Sequence, residues 1–379
     1  MNAPETTRGL KNTATAAGLY MALELSDAKW LVYVSDGARA PSHYTLLAGD
    51  RLGLLASIEK AKARCGLAGK AVVVHSCYEA GRDGFWLHRW LIEQGIENIV
   101  VDSASIEVNR RRRRAKTDHL DGAKLLGMLL RYWGGERRVW SVVHVPSPEA
   151  EDARRSHREL QRLSAERTAH SNRIGSLLVL HGVRVKNIGG RGWARWWQEH
   201  STKFALCLRA EIERESARLA LVKAQIKAIE SQQHEQVAAG TQAQVVQLER
   251  LRGIGLASAW VLSKELFGWR VFRNRREVAG SVGLAPTPYN SGTSETEQGI
   301  AKAGNKRVRW LLVELAWGWL RYQPHSAMSQ WFHTRFASGG KRMRRIGIVA
   351  LARRLAIALW RYVQFAELPA GAELKASAR

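Results

Sequence analysis

The chain has 379 residues, enough for two or three domains with separate cores. Its 45% apolar content excludes a disordered chain, and 59 Lys and Arg against 34 Asp and Glu leave a net charge of +25. That charge repels itself in a compact state, so a polyanionic partner is expected: nucleic acid first, an anionic membrane surface second. No apolar run approaches the roughly 20 residues that span a bilayer. The most apolar late segment, residues 346–360, carries Arg353 and Arg354. The N-terminus lacks a basic-then-apolar signal pattern, and the expectation is a soluble, intracellular protein with no membrane partner. Cys65, Cys77 and Cys207 have no paired spacing, and the twelve histidines form no zinc pattern. Any metal would therefore take oxygen ligands, which points to magnesium, or to manganese in its place.

Residues 1–17 are small and polar and read as a tail. Leu19 to Leu25 alternates as a strand, with Tyr20, Ala22 and Glu24 on one face. Trp30 to Val34 is a second strand, Leu52 to Arg64 a helix, and Ala71 to Val74 a buried strand that leads into Cys77-Tyr78-Glu79. Trp86 to Gln94 reads as a helix and Ile99 to Val101 as a strand, so residues 18–145 form an α/β domain with some parallel neighbours. Thr117 is a candidate N-cap for a helix over Asp118 to Arg131.

Pro146-Ser147-Pro148 opens a second part, residues 146–244, which is long, charged and helical. Leu208, Ile212, Leu219, Val222, Ile226 and Ile229 repeat every three or four residues, with Glu215 at one polar seam position. Leu160, Leu163, Ile174 and Leu177 continue the spacing upstream, interrupted by Arg167 and His170. Two antiparallel helices joined near residues 182–192 fit this coiled-coil arm, alone or against another subunit. Residues 245–368 read as a mostly α-helical domain, with Val308, Leu312, Leu315 and Trp319 on one helix face, and residues 369–379 as a tail. Trp310, Trp317, Trp319, Trp331 and Trp360 are expected in its core.

Asp118 and Asp121 stand three apart on the expected helix and project to one side. Such a pair is ordinarily a solvated acidic face. Here it follows five arginines in a chain short of acids. Glu79 sits just past a buried strand, where α/β active sites gather, and Glu24 lies inside the first strand, where an unpaired carboxylate is costly. A divalent cation would neutralise the cluster.

Arg110, Arg111, Arg112, Arg113 and Arg114, with Lys116, form either a solvated loop or a phosphate clamp, and the neighbouring acids favour the clamp. Gly253 and Gly255 in Leu251-Arg252-Gly253-Ile254-Gly255 suit a helix-hairpin-helix turn on a phosphate, or a tight turn between packed helices. Lys302, Lys306, Arg307 and Arg309, then Lys341, Arg342, Arg344 and Arg345, are candidate backbone contacts. Pro288 to Gly292 reads as a loop containing Ser291.

The segments YMALELSDAKWLV, CYEAGRDGFWLHRWL, RRRRAKTDHLDGAKLL, LRGIGLASAWVLSKEL, VGLAPTPYNSG and GIAKAGNKRVRWLLVELAW occur in that order along the chain. The first three resemble the ribonuclease-H-like nucleases of the Holliday-junction-resolvase (RuvC-like) branch. All six resemble the DEDD insertion-sequence transposases, insertion-sequence family one-hundred-ten and relatives. The resemblance implies a ribonuclease-H-like catalytic domain whose acidic tetrad, holding two magnesium ions, falls on Glu24, Glu79, Asp118 and Asp121. The family has Asp at the first place, so Glu24 is a departure, and Asp27 is its rival. It implies that Ser291, with Ser294 as rival, joins covalently to DNA during strand cleavage and exchange. It further implies donor and target DNA as partners, a structured guide (bridge) RNA, a dimer or tetramer, and a cytoplasmic, nucleoid-associated setting in a prokaryote. The competing readings are a junction-type nuclease using activated water, and a basic nucleic-acid binder without turnover.

Overall fold

The computed structural model describes residues 18–107, 118–291 and 294–376, with residues 118–120, 288–291 and 294–298 described by backbone alone. Two compact units divide between Val145 and Pro146.

The first unit is a five-stranded sheet in the order β3-β2-β1-β4-β5. Its strands are β1 (Gly18–Leu25), β2 (Lys29–Ser35), β3 (Ser42–Leu47), β4 (Val73–Glu79) and β5 (Glu97–Val101). β1, β2 and β3 form an antiparallel meander, and β4 and β5 add parallel to β1. Met21, Ala22 and Leu23 are all fully buried, because central β1 is covered on both faces. Helices α1 (Arg51–Arg64) and α2 (Trp86–Glu93) supply Leu54, Ile58, Leu87 and Leu91 to one face. α3 (Asp118–Trp133) covers the other with Leu125, Leu126, Met128 and Leu129 over Ala22, Tyr33 and Cys77. Gly122 allows this approach: a Cβ there would stand 2.2 Å from the Tyr33 ring.

The strand after Ala71 runs further than its apolar stretch, so Glu79 is the last residue of β4 and not beyond it. Edge strand β3, SHYTLL, has only partial burial on alternate residues and no continuous apolar run to announce it.

The second unit begins with α4 (Pro148–Asp152) and the long pair α5 (Arg155–Val179) and α7 (Leu206–Ala238), bridged at one end by α6 (Trp193–His200). Ile174 and Leu178 pack with Ile212 and Leu219, and Leu163 with Val222 and Ile226. The seam is thus filled antiparallel within one chain. Its polar position is matched as well: Glu215 lies 2.6 Å from His170 Nδ1 and 3.0 Å from Arg173 Nη1.

The remaining helices are α8 (Ala243–Glu249), α9 (Leu256–Leu262), α10 (Arg275–Ser281), α11 (Lys306–Tyr322), α12 (Ala327–Phe336) and α13 (Lys341–Phe365). A π-helical turn at residues 263–267 extends α9. Val278, Leu312, Trp319, Phe332, Leu351 and Leu359 are among the residues of their shared core. This part also holds a β-hairpin, β6 (Pro286–Ser291) and β7 (Ser294–Ile300), where the sequence reads as loop. Two prolines in β6 and polar SETEQ in β7 hide it from propensity. Trp319 and Trp360 are buried, whereas Trp310 and Trp317 are 61% and 42% exposed, so the expectation of a core role fails for that pair. Residues 369–375 are folded, with Leu374 bridged to Leu251.

Candidate nucleic-acid cleavage site

Leu23 of β1 pairs with Tyr78 of β4, and one step further along these parallel strands stand Glu24 and Glu79. Alternation puts Glu24 on the face of Ala22 and Glu79 on the face of Cys77, the face that α3 covers. α3 runs opposite to β1 and β4. Its last residue, Trp133, lies 4.0 Å, ring to ring, from His75 early in β4, while Gly122 sits at Tyr33, the partner of Ala22. Asp121 and Asp118 lie in the first turn of α3, beyond Gly122, toward the strand ends that carry Glu24 and Glu79. The topology gathers the four positions at the carboxyl ends of two adjacent parallel strands.

Carboxylates supply oxygen donors of the kind a hard divalent cation takes. Among the described residues no three such groups lie close enough to hold an ion; the Asp118 side chain is outside them. Asp27 sits in the exposed β1–β2 turn, with its carboxylate ion-paired to Arg82. Arg110 to Arg114 and Lys116, and the N-cap candidate Thr117, lie outside the described residues.

In the second unit Ser291 ends β6 and stands in register with Ser294, the two candidates facing each other across the hairpin tip by backbone position. The stem is fixed where two glycines at positive φ, Gly283 and Gly304, admit carbonyl groups: a Cβ on Gly283 would meet the Ala303 oxygen at 2.0 Å, and one on Gly304 the Ser281 oxygen at 2.2 Å. Asn305 then caps α11, accepting from the amides of Arg307 and Val308.

The same Asn305 donates Nδ2 to Glu265 Oε2 at 2.9 Å. Glu265, in the π-helical turn, has a fully buried side chain. It also meets His157 Nε2 at 2.8 Å, Arg158 Nε at 2.7 Å and Arg307 Nη1 at 3.2 Å. Burial alone would raise this carboxyl; the hydrogen bonds from His157 and Arg158, the charge of Arg158 and the bond from Asn305 outweigh it and hold the group far below the usual carboxylate range. This network ties the arm to the base of the serine hairpin, and periodicity gave no hint of it.

The expected phosphate cations divide. Lys302 and Lys306 are exposed. Arg307 is engaged by Glu265 and Gln161, and Arg309 Nη1 donates to the carbonyls of Val282 and Ala303. The glycine turn of Gly253 and Gly255 is held by the C-terminal segment: Arg252 N donates to Glu373 O, and the Gln323 amide donates to the carbonyls of Arg252 and Glu373. That is the packed-turn reading of this motif. Lys341, Arg342 and Arg345 border a groove beside α13, to which Arg344 does not contribute.

The first unit is a mixed α/β sheet with acids at the carboxyl ends of parallel strands, and the second is mostly helical; comparison with known proteins supplies the class. The profile of the transposase IS116/IS110/IS902 family matches residues 246–331. The chain is 42% identical over 378 residues to the transposase y4rJ of Sinorhizobium fredii, covering 94% of each protein. It is 33% identical to y4qE of the same organism over 258 residues, 66% of this chain and 60% of that one. It is 28% identical over 110 residues to the transposase for insertion sequence element IS1328 of Yersinia enterocolitica, covering 28% and 32%. The chain belongs to the IS116/IS110/IS902 family of insertion-sequence transposases. No helix among the described residues is long and apolar enough to cross a membrane.

Proposed function

We propose that this transposase cuts and exchanges DNA strands through a covalent serine intermediate, with a magnesium-binding tetrad of Glu24, Glu79, Asp118 and Asp121 and with Ser291 as nucleophile. The observation that carries the reading is the shared placement of Glu24, Glu79 and the first turn of α3 on one sheet face at one end. Magnesium, when bound there, stabilises charge on phosphoryl oxygens. The four carboxylates would hold it through oxygen ligands, which suit magnesium or manganese. The Ser291 hydroxyl attacks phosphorus: the Oγ–P bond forms, the P–O bond to the leaving deoxyribose oxygen breaks, and the serine proton passes to solvent or to that oxygen. Exposed Lys302 and Lys306 hold the phosphate backbone near the hairpin.

The partners in this reading are donor and target DNA and a structured guide RNA, and the enzyme works as a homo-oligomer, dimer or tetramer. Family resemblance supports the RNA; the net charge of +25 serves either nucleic acid. Arg110 to Arg114 clamp phosphates. Neutralising three of them should lower the salt slope of affinity by about 0.9 per lost duplex contact.

The test is Asp118→Asn and Asp121→Asn, which keep side-chain size and remove the anionic ligand. Loss of outer partners of a metal site costs about 10–100-fold, so loss of a ligand should cost at least that in cleavage while binding persists. Wild-type recombination in both proteins would refute the tetrad. Glu24→Gln and Asp27→Asn in the same assay decide which acid on or just after the first strand participates.

A further inference from the structure

A groove of about 1490 Å³ runs along α13, closed on its other sides by α10, α12 and the stem of the β6–β7 hairpin. Nine Lys and Arg side chains line it, with no Asp or Glu. Among these cations only Arg361 has an ion-pair partner among the described residues, Glu367 at 2.5 Å. So many like charges lining one groove repel one another and give it a positive field that favours an anion extended along its length. From Arg342 to Arg361 the helix extends about 28 Å, too long for a single phosphate and suited to a chain of them.

The floor between the cations is apolar. Ile346, Val349, Ala350, Ile357 and Ala358 are partly or fully exposed along it. At its edge the Arg354 guanidinium lies 4.3 Å from the centre of the Trp331 ring, a flat cationic platform. A duplex has its base faces already stacked and would leave this floor unused. A single strand offers both groups at once: phosphates for the cationic rims and unstacked base faces for the floor.

We propose that the groove binds a single strand of DNA and leads it to the serine hairpin. The choice of DNA rests on the function proposed above, because Pro286, Gly299 and Ile300 of the hairpin stem form one wall and Ser291 closes the same hairpin. The assignment adds Arg275, Arg276, Arg353, Arg354 and Arg361 to the candidate contacts legible from charge runs.

The test is binding of fluorescent oligothymidylate, about 15 nucleotides long, to the full-length protein across a salt series. Arg276→Ala, Arg345→Ala and Arg353→Ala together should weaken binding at least tenfold and lower the salt slope by about 2, at about 0.7 per single-strand contact. Lysines at the same three positions should restore most of the affinity. Alanine at exposed Arg162, Arg214 and Lys227 on the arm removes the same charge and should leave binding near wild type; an equal loss there would overturn the site. Ile346→Ser with Ile357→Ser should weaken the single strand and spare a duplex of equal length; equal losses would overturn the role of the floor. Tighter binding of oligouridylate than oligothymidylate would overturn the choice of DNA. The assay needs no turnover, so Asp121→Asn protein should bind like wild type. Groove binding without any DNA cutting leaves the groove standing and the proposed function refuted. Cutting with unchanged binding in the triple alanine protein refutes the groove alone.

Discussion

His157 Nε2 lies 2.8 Å from Glu265 Oε1, a contact between residues 108 apart in sequence that fastens the arm to the helical core beneath the serine hairpin. Glu265 is the hub, because Arg158, Asn305 and Arg307 converge on the same buried carboxylate. Removing one member of a buried ionic network leaves the others unpaired, at about 3–5 kcal/mol. Arg158 and Arg307 are 40% and 30% exposed, so water recovers part of that loss. Glu265→Ala should therefore cost about 3 kcal/mol in denaturant unfolding. A change below about 0.5 kcal/mol would show that the network is not a joint.

Glu215 is the acid-sensitive point of the arm. The hydrogen bond from His170, aided by Arg218 and Arg173, holds its carboxyl down to about 2 against burial that would raise it. Its folded value lies below the ordinary 4.5, so its contribution is complete above about pH 4.5 and is lost as pH falls toward about 2. Thermal melts of wild type should drop over that window, and Glu215→Gln should flatten the drop. Parallel acid limbs for the two proteins would contradict the assignment.

Gly122 sets the height of α3 above the sheet. Alanine ordinarily gains up to about 1 kcal/mol over glycine within a helix. Here the added carbon would meet the buried Tyr33 ring at 2.2 Å, and overpacking costs about 1–3 kcal/mol. Gly122→Ala should lower stability and, by lifting the first turn of α3, lower cleavage more than DNA binding. Adding Tyr33→Leu should recover part of both. A stabilised, fully active Gly122→Ala protein would contradict this packing.

The arm seam closes within one chain, so Ile212→Ala should destabilise by about 2–4 kcal/mol without changing the mass seen by light scattering. Dissociation of an oligomer at unchanged fold would place that residue between subunits instead.

The sheet and the arm were legible because their signals are local. Alternation around Glu24 marked β1, and the three-and-four spacing from Leu208 to Ile229 marked α7. Glu215 was visible as a polar interruption, and the complementary interruption at His170 is its partner. The hairpin was missed because proline and polar residues carry no strand propensity; glycine-mediated packing at Gly283 and Gly304 and cross-strand pairing hold it. Glu265 and the α13 groove were missed for a related reason. Their members come from distant segments, and only folding brings Arg276 and Arg353 to the lining of one groove. The spacing of Arg345, Arg353 and Arg361, eight residues apart on one helix, was the available hint.

The most direct measurement is to trap the wild-type protein on a nicked or suicide DNA substrate with magnesium, denature it, and map the DNA-bearing peptide. The account predicts a denaturation-resistant adduct on Ser291, absent from Ser291→Ala protein that still folds and binds DNA, and absent from Asp121→Asn. An adduct that persists in Ser291→Ala and vanishes in Ser294→Ala would move the nucleophile to Ser294. Efficient magnesium-dependent cutting with no adduct on any residue would contradict the serine mechanism.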